Sequence, residues 1–206
     1  MGDSVNVSIE NSFSQFVSIQ SRYSMLTRYM EEDLLPVCEE NNVSILPYFP
    51  LESGFLTGKI KRGVDPEKGT RLALWKGAFT SDDWFNLIDE VEKFGNEINR
   101  SLLEISLAWV AKRKMVGSVL VGATSAEQMI QNIEAISWKM SDEEMEKIDQ
   151  IILGYIDQLE RNLNILSESK TWTLTSSPSL ISPATSTIPT SPLNFFAALR
   201  KSNLPG

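Results

Sequence analysis

The segment Val43 to Lys59, Val-Ser-Ile-Leu-Pro-Tyr-Phe-Pro-Leu-Glu-Ser-Gly-Phe-Leu-Thr-Gly-Lys, constrains this chain more than any other. Its first part, Val43 to Tyr48, is a short apolar run of the kind a doubly buried parallel strand requires. Pro50 is expected to end the ladder, because proline has no N–H to donate. Gly54 and Gly58 follow, interleaved with Ser53, Thr57 and finally Lys59. A strand that breaks into such a loop suits a phosphate-bearing ligand. Backbone N–H groups approach an anion closely where there is no Cβ, and a lysine adds a positive charge. The same composition also makes an ordinary strand-to-loop turn, so its meaning depends on the rest of the chain.

A second landmark has the same form. Met115 to Asn132 reads Met-Val-Gly-Ser-Val-Leu-Val-Gly-Ala-Thr-Ser-Ala-Glu-Gln-Met-Ile-Gln-Asn. Val119 to Val121 reads as a buried strand, Gly122 as a turn, and Thr124 or Ser125 as the N-cap of a helix. Glu127 and Gln128 stand three residues on from those two, the capping-box spacing. A helix N-terminus offers free N–H groups and a partial positive charge to an anion. Two strand ends, each followed by a phosphate-compatible loop, point to one ligand site at the C-terminal edge of a parallel sheet.

These two stretches resemble the last two strand-loop units of the aldo-keto reductases. Gln-Ser-Arg-Tyr-Ser-Met-Leu-Thr-Arg, Gln20 to Arg28, is similar to the strand segment that precedes them in that family. Order and spacing agree from about Phe16 to Ile151. The resemblance implies an α/β fold: a partial (β/α)8 TIM barrel of about the last three strand-helix units, since three strands cannot close a barrel that needs eight. The division expected is a divergent segment over 1–13, the partial barrel over 14–153, and a helical extension with a Ser/Thr/Pro-rich tail over 154–206.

Composition narrows the function classes. The chain has 206 residues, 27 acidic against 19 basic, for a net charge of −8. That balance argues against a nucleic-acid partner, which favours a basic stripe. No apolar run is long enough to span a membrane, and the N-terminus lacks a basic-then-apolar signal pattern. Cys38 is the single cysteine, which suits a reducing cytoplasm, and it reads as a small core residue rather than a nucleophile. There is no histidine, so Ser–His, Cys–His and histidine-metal chemistry are excluded within this sequence. No acidic pair has convincing metal-ligand spacing beside a glycine-rich loop, and no metal is expected.

Along the chain, residues 1–13 are weakly patterned. Phe16 to Gln20 alternates as a strand. Glu31 to Asn41 reads as a helix, with Pro36 tolerated in a first turn and Asn41-Asn42 as its end. Residues 60–80 form a long loop. Ser81 is expected to cap a helix to about Asn99, with Trp84, Leu87, Ile88, Val91 and Phe94 on one face. Ser101-Leu-Leu-Glu104 and Ser141-Asp-Glu-Glu144 are capping boxes for two further helices. Residues 151–166 extend the last of these. From Ser167 the chain turns Ser/Thr/Pro-rich and reads as disordered, with a short amphipathic stretch at Asn194 to Lys201.

The family resemblance implies site roles. Gln20 aligns with the residue that hydrogen-bonds the nicotinamide carboxamide, and Tyr48 with the aromatic that stacks on the nicotinamide. Pro50, Leu51, Ser53 and Gly54 match the loop around the pyrophosphate, and Lys59 a basic residue near the phosphates. Gly122, Thr124, Gln128, Gln131 and Asn132 match the loop at the adenosine end. The implied cofactor is NADP (NADPH), ahead of NAD, and the implied substrate a small-molecule carbonyl. Two positions depart. Phe49 replaces a small hydroxyl residue, and Gln128 stands where many relatives carry arginine, which weakens the NADP preference. The family's catalytic Asp, Tyr, Lys and His have no counterparts here, so no catalytic residue is assigned, and Tyr23 is not given that role. The expected function is therefore an aldo-keto reductase-like oxidoreductase. The alternatives are a non-catalytic dinucleotide-binding or subunit-association module that self-associates through exposed strand edges, or a non-functional, aggregating product.

Overall fold

The computed structural model describes residues 2–65, 69 and 82–168, with side chains described through residue 158. Two strands, β1 (Ser18–Arg22) and β2 (Ser44–Tyr48), pair in parallel with Gln20 opposite Leu46 and Arg22 opposite Tyr48. The helix α2 (Met30–Asn41) makes the crossover between them, as parallel strands require. Asn42 ends α2 in a left-handed conformation at φ 54°, and its N–H bonds back to the Cys38 and Glu39 carbonyls.

β2 departs from a doubly buried strand. Ile45 and Pro47 are buried, whereas Ser44 and Leu46 are half-buried and Tyr48 is 37% exposed. One face packs on the helices and the other is open. The expected third strand at Val119 to Val121 is also corrected. Among the described residues, 116–120 make two separate parallel bridges in its place, Ile45 to Val116 and Tyr48 to Leu120, and only Leu120 belongs to the expected stretch. The cause is local. Ile45 N–H donates to the Met115 carbonyl at 2.7 Å, and the Gly117 and Leu120 N–H groups donate to the Ile45 and Pro47 carbonyls. The next donor from β2 on that side belongs to Pro47, which has none. The step from Ile45 to Tyr48 is matched by the longer step from Val116 to Leu120, so one extra residue bulges there. Pro47, rather than Pro50, is thus the proline that interrupts the ladder, and β2 ends at Tyr48 when Phe49 enters positive φ at 56°.

Two more expectations change. Pro36 lies in the interior of α2 and not in its first turn, because the helix begins at Met30, six residues before it. The helix forgoes one backbone donor there, and Pro36 faces solvent. Residues 1–13 contain a helix, α1 (Gly2–Glu10), whose Val5 and Ser8 are buried while Val7 and Ile9 stay exposed. Only a narrow stripe is covered, so the apolar pattern is faint.

The remaining helices are α3 (Asp82–Glu97), α4 (Leu102–Lys112), α5 (Ala126–Ser137) and α6 (Asp142–Glu168). The expected cap Ser81 and the expected tail from residue 169 onward lie outside the described residues. Trp84, Leu87, Ile88 and Val91 of α3 are buried as their spacing requires, with Phe94 packed partly against them. α4 is buried on most sides through Leu102, Ile105, Leu107, Ala108, Trp109 and Val110. Ile148, Ile152 and Ile156 of α6 complete the core. Ser101 caps α4 through a complete capping box with Glu104. Burial alone raises the Glu104 carboxyl, but hydrogen bonds from the Ser101 N–H and hydroxyl and from Arg100 outweigh it and hold it below the ordinary glutamate value. Its contribution to stability is present above the ordinary carboxylate range and is lost as pH falls through the lowered value. Ser141 and Glu144 form the second box at the start of α6.

The turn from α3 to α4 depends on Gly95. A Cβ there would lie 2.6 Å from the Arg100 carbonyl oxygen and 2.8 Å from Ile105 Cδ1. Gly95→Ala gains about 1 kcal/mol of helix propensity and loses more to the clash. The expected net loss is about 1–3 kcal/mol, measured by urea denaturation. A stabilised variant would contradict this packing.

Candidate functional site at the strand ends

In parallel strands, residues directly opposite each other project to the same side. Gln20, Arg22, Leu46 and Tyr48 therefore share the open face of the sheet, while Ile19, Ser21, Ile45 and Pro47 share the packed one. Gln20 is exposed, and its partner Leu46 lies two residues before Tyr48 on the same face. The Phe49 ring meets Tyr48 edge-on, with centroids 5.5 Å apart at 71°, and steadies the ring that ends β2.

The loop after β2 is a tight left-handed turn. Phe49, Glu52, Ser53 and Gly54 have φ of 56°, 45°, 59° and 100°. Pro50 is buried, and Leu51, Ser53 and Gly54 are half-buried. The Leu51 carbonyl accepts from the N–H groups of Gly54 and Leu56, closing a 3-10 turn over Glu52–Thr57. At Gly54 an added Cβ would meet nothing within 4 Å, so the approach to this backbone is open.

The bridge from Tyr48 to Leu120 sets the second loop beside the first. Gly122 is likewise open to an added Cβ. Asn132 reaches back so that its Nδ2 donates to the Gly122 carbonyl at 3.5 Å. Ser125, not Thr124, is the N-cap: its hydroxyl accepts from the Gln128 N–H at 3.2 Å. Gln128 Oε1 in turn accepts from the N–H and hydroxyl of Thr124 at 2.9 and 3.0 Å. Gly122 with Asn132, and Thr124 with Gln128, thus form two hydrogen-bonded pairs, grouped at the start of α5. Lys59 and Gln131 are exposed, and among the described residues no side-chain hydrogen bond ties either to this group.

Sequence reasoning misses the support under this loop. Glu52 is buried and receives hydrogen bonds from Ser24, Thr27 and Arg22. The one available signal was an acidic residue inside an otherwise apolar turn, with hydroxyl residues at Ser24 and Thr27. Tyr23 is 1% exposed, and its hydroxyl donates to Glu31 at 2.6 Å. Burial and the Glu31 charge push its phenol far above the ordinary tyrosine value, beyond what Arg113 and Arg28 offset. Among the described residues no group of three or more His, Cys, Asp or Glu is placed to hold a metal. No described helix is long and apolar enough to cross a membrane.

The aldo/keto reductase family model matches residues 6–153. The chain belongs to the aldo/keto reductase family. The match opens within α1 and runs into α6. An NADH-specific methylglyoxal reductase of Escherichia coli (strain K12) is 35% identical over 127 residues, which cover 60% of this chain and 38% of that protein. A putative voltage-gated potassium channel subunit beta of Schizosaccharomyces pombe is 32% identical over 146 residues, covering 66% and 42% respectively. An L-glyceraldehyde 3-phosphate reductase of Escherichia coli O157:H7 is 29% identical over 140 residues, covering 65% and 40%. The aligned part of this aldo/keto reductase chain spans about two-fifths of these curated relatives.

Proposed function

We propose that this chain binds a nicotinamide dinucleotide across the ends of β2 and of the 116–120 segment, as part of a carbonyl oxidoreductase. The carrying observation is that Gln20 and Tyr48 share the open sheet face while the backbone at Gly54 and Gly122 is open at the strand ends. In this reading Gln20 holds the carboxamide and Tyr48 stacks on the nicotinamide. Pro50, Leu51, Ser53 and Gly54 wrap the pyrophosphate, and Gly122, Thr124 and Asn132 face the adenosine. Bound there, the cofactor would supply hydride to a carbonyl substrate. The two strands, the 116–120 segment and their helices are read as part of a (β/α)8 barrel, and the setting as cytoplasmic.

Preference for NADPH has little support in this geometry. Gln128 is neutral and engaged with Thr124, and Lys59 is exposed outside that group. NADH and NADPH are accordingly proposed to bind within about tenfold of each other, a difference of about 1.4 kcal/mol.

The absence of histidine from the sequence and the outer edge of β1, which among the described residues pairs with β2 alone, favour a second reading. In it the chain binds dinucleotide without turnover and self-associates through that edge. Fluorescence titration with NADH and NADPH separates the readings when paired with a methylglyoxal turnover assay. Saturable binding with turnover supports the enzyme, and binding without turnover the module. Tyr48→Ala is expected to weaken binding about tenfold, by loss of the stacked ring. Unchanged binding in that variant would sink the assignment of Tyr48.

A further inference from the structure

Glu52 is 1% exposed, yet it carries a carboxyl group into the turn after β2. A buried acidic side chain persists where donors surround it. Oε1 accepts from the Ser24 hydroxyl at 2.5 Å and the Thr27 hydroxyl at 2.6 Å, and Oε2 from the Arg22 guanidinium. All three donors come from the end of β1 and the segment just beyond it. Their arrangement is itself fixed. Ser24 Oγ accepts from the Leu26 and Thr27 N–H groups at 3.2 and 2.9 Å, which leaves its own hydrogen for the carboxylate. The Ser24 and Thr27 backbones also bond to each other in both directions.

The backbone that Glu52 holds is one that non-glycine residues avoid. Phe49, Glu52 and Ser53 all have positive φ, and such conformations persist where surrounding contacts over-determine them. Arg22 lies opposite Tyr48 in the strand register. The same side chain that bonds Glu52 therefore belongs to the pair that ends the sheet.

We propose that Glu52 is a positioning residue that fastens the β2 loop to the end of β1 and holds Phe49 to Gly54 in the shape presented to a bound phosphate. The consequence for binding rests on the dinucleotide reading above. The consequence for the loop does not, and can be measured without ligand.

The test uses the full chain and two substitutions. Glu52→Gln keeps the volume and removes the charge. Ser24→Ala leaves the carboxylate but removes one donor to it, together with the acceptor for the Leu26 and Thr27 N–H groups, so it serves should Glu52→Gln fail to fold and is read at residues 49–57 alone. Hydrogen exchange is followed at a temperature where circular dichroism shows each variant folded. Amides of residues 49–57 are expected to exchange at least tenfold faster in Glu52→Gln and severalfold faster in Ser24→Ala, with the Leu102–Lys112 helix unchanged. NADH dissociation constants are expected to rise about tenfold in Glu52→Gln. Unchanged loop exchange in the folded variants overturns the proposal. A uniform rise that includes Leu102–Lys112 also overturns it, since Glu52 would then be a general stability contact. Faster loop exchange in a protein whose wild type ignores NADH leaves the fastening intact and removes the dinucleotide reading. Faster loop exchange with unaltered NADH affinity overturns the positioning role.

Discussion

Trp109→Ala is expected to lower folding stability by about 3–5 kcal/mol. The indole is fully buried in α4. Its Nε1 donates to Asp149 at 3.0 Å, the Arg113 guanidinium lies 3.8 Å from the ring centroid, Arg28 lies at 5.1 Å, and the Tyr23 ring at 5.5 Å. Removing the ring opens a cavity and takes an aromatic face from two cations at once. Domains of this size are stable by about 5–15 kcal/mol, so the loss is a large share of the total. Urea denaturation checks it through a lowered midpoint at unchanged slope. A loss below about 1 kcal/mol would contradict the packing of α4.

Asp149→Ala is expected to cost about 3 kcal/mol, for a different reason. Asp149 accepts from Arg28 at 2.7 Å and from Arg113 at 2.6 Å, and these side chains are only 12% and 17% exposed. Arg28 keeps Glu31 at 3.0 Å, but Arg113 loses the carboxylate that both bonds and neutralises it. Leaving a largely buried cation without its partner costs more than the pair itself is worth. Because Trp109 and Asp149 share a hydrogen bond, the double variant should lose less than the sum of the single losses, by about 0.5–3 kcal/mol. A double-mutant cycle in urea measures the difference. Strict additivity would mean that the two residues act independently and that the network is not a unit.

What was legible in the sequence was what a short window carries. The Ser101 and Ser141 capping boxes, the buried stripe of α3, the Asn42 helix end and the order of strand, helix and loop all depend on residues within a turn or two of one another. The two landmark motifs also pointed to neighbouring strand ends, and the bridge from Tyr48 to Leu120 joins them. What was not legible depends on register or on distant partners. Whether Pro47 or Pro50 interrupts the sheet turns on which β2 residues aim their N–H groups at the 116–120 segment, a matter of strand pairing and not of composition. Glu52 finds its donors at positions 22 to 27, beyond any local window. The choice of Ser125 over Thr124 as cap required the actual path of the Gln128 side chain. α1 was faint because only Val5 and Ser8 of its residues are covered.

Dinucleotide binding at the strand ends is tested by a thermal unfolding scan of the full chain, alone and with excess NADH or NADPH. One cooperative transition is expected that rises with either dinucleotide, because a ligand that binds only the folded state must stabilise it. At a hundredfold excess over the dissociation constant the gain is about 2.7 kcal/mol. The same scan on Tyr48→Ala should show a smaller rise at equal ligand concentration. A cooperative transition that ignores both dinucleotides would contradict the site at the ends of β2 and the 116–120 segment, while leaving the fold in place.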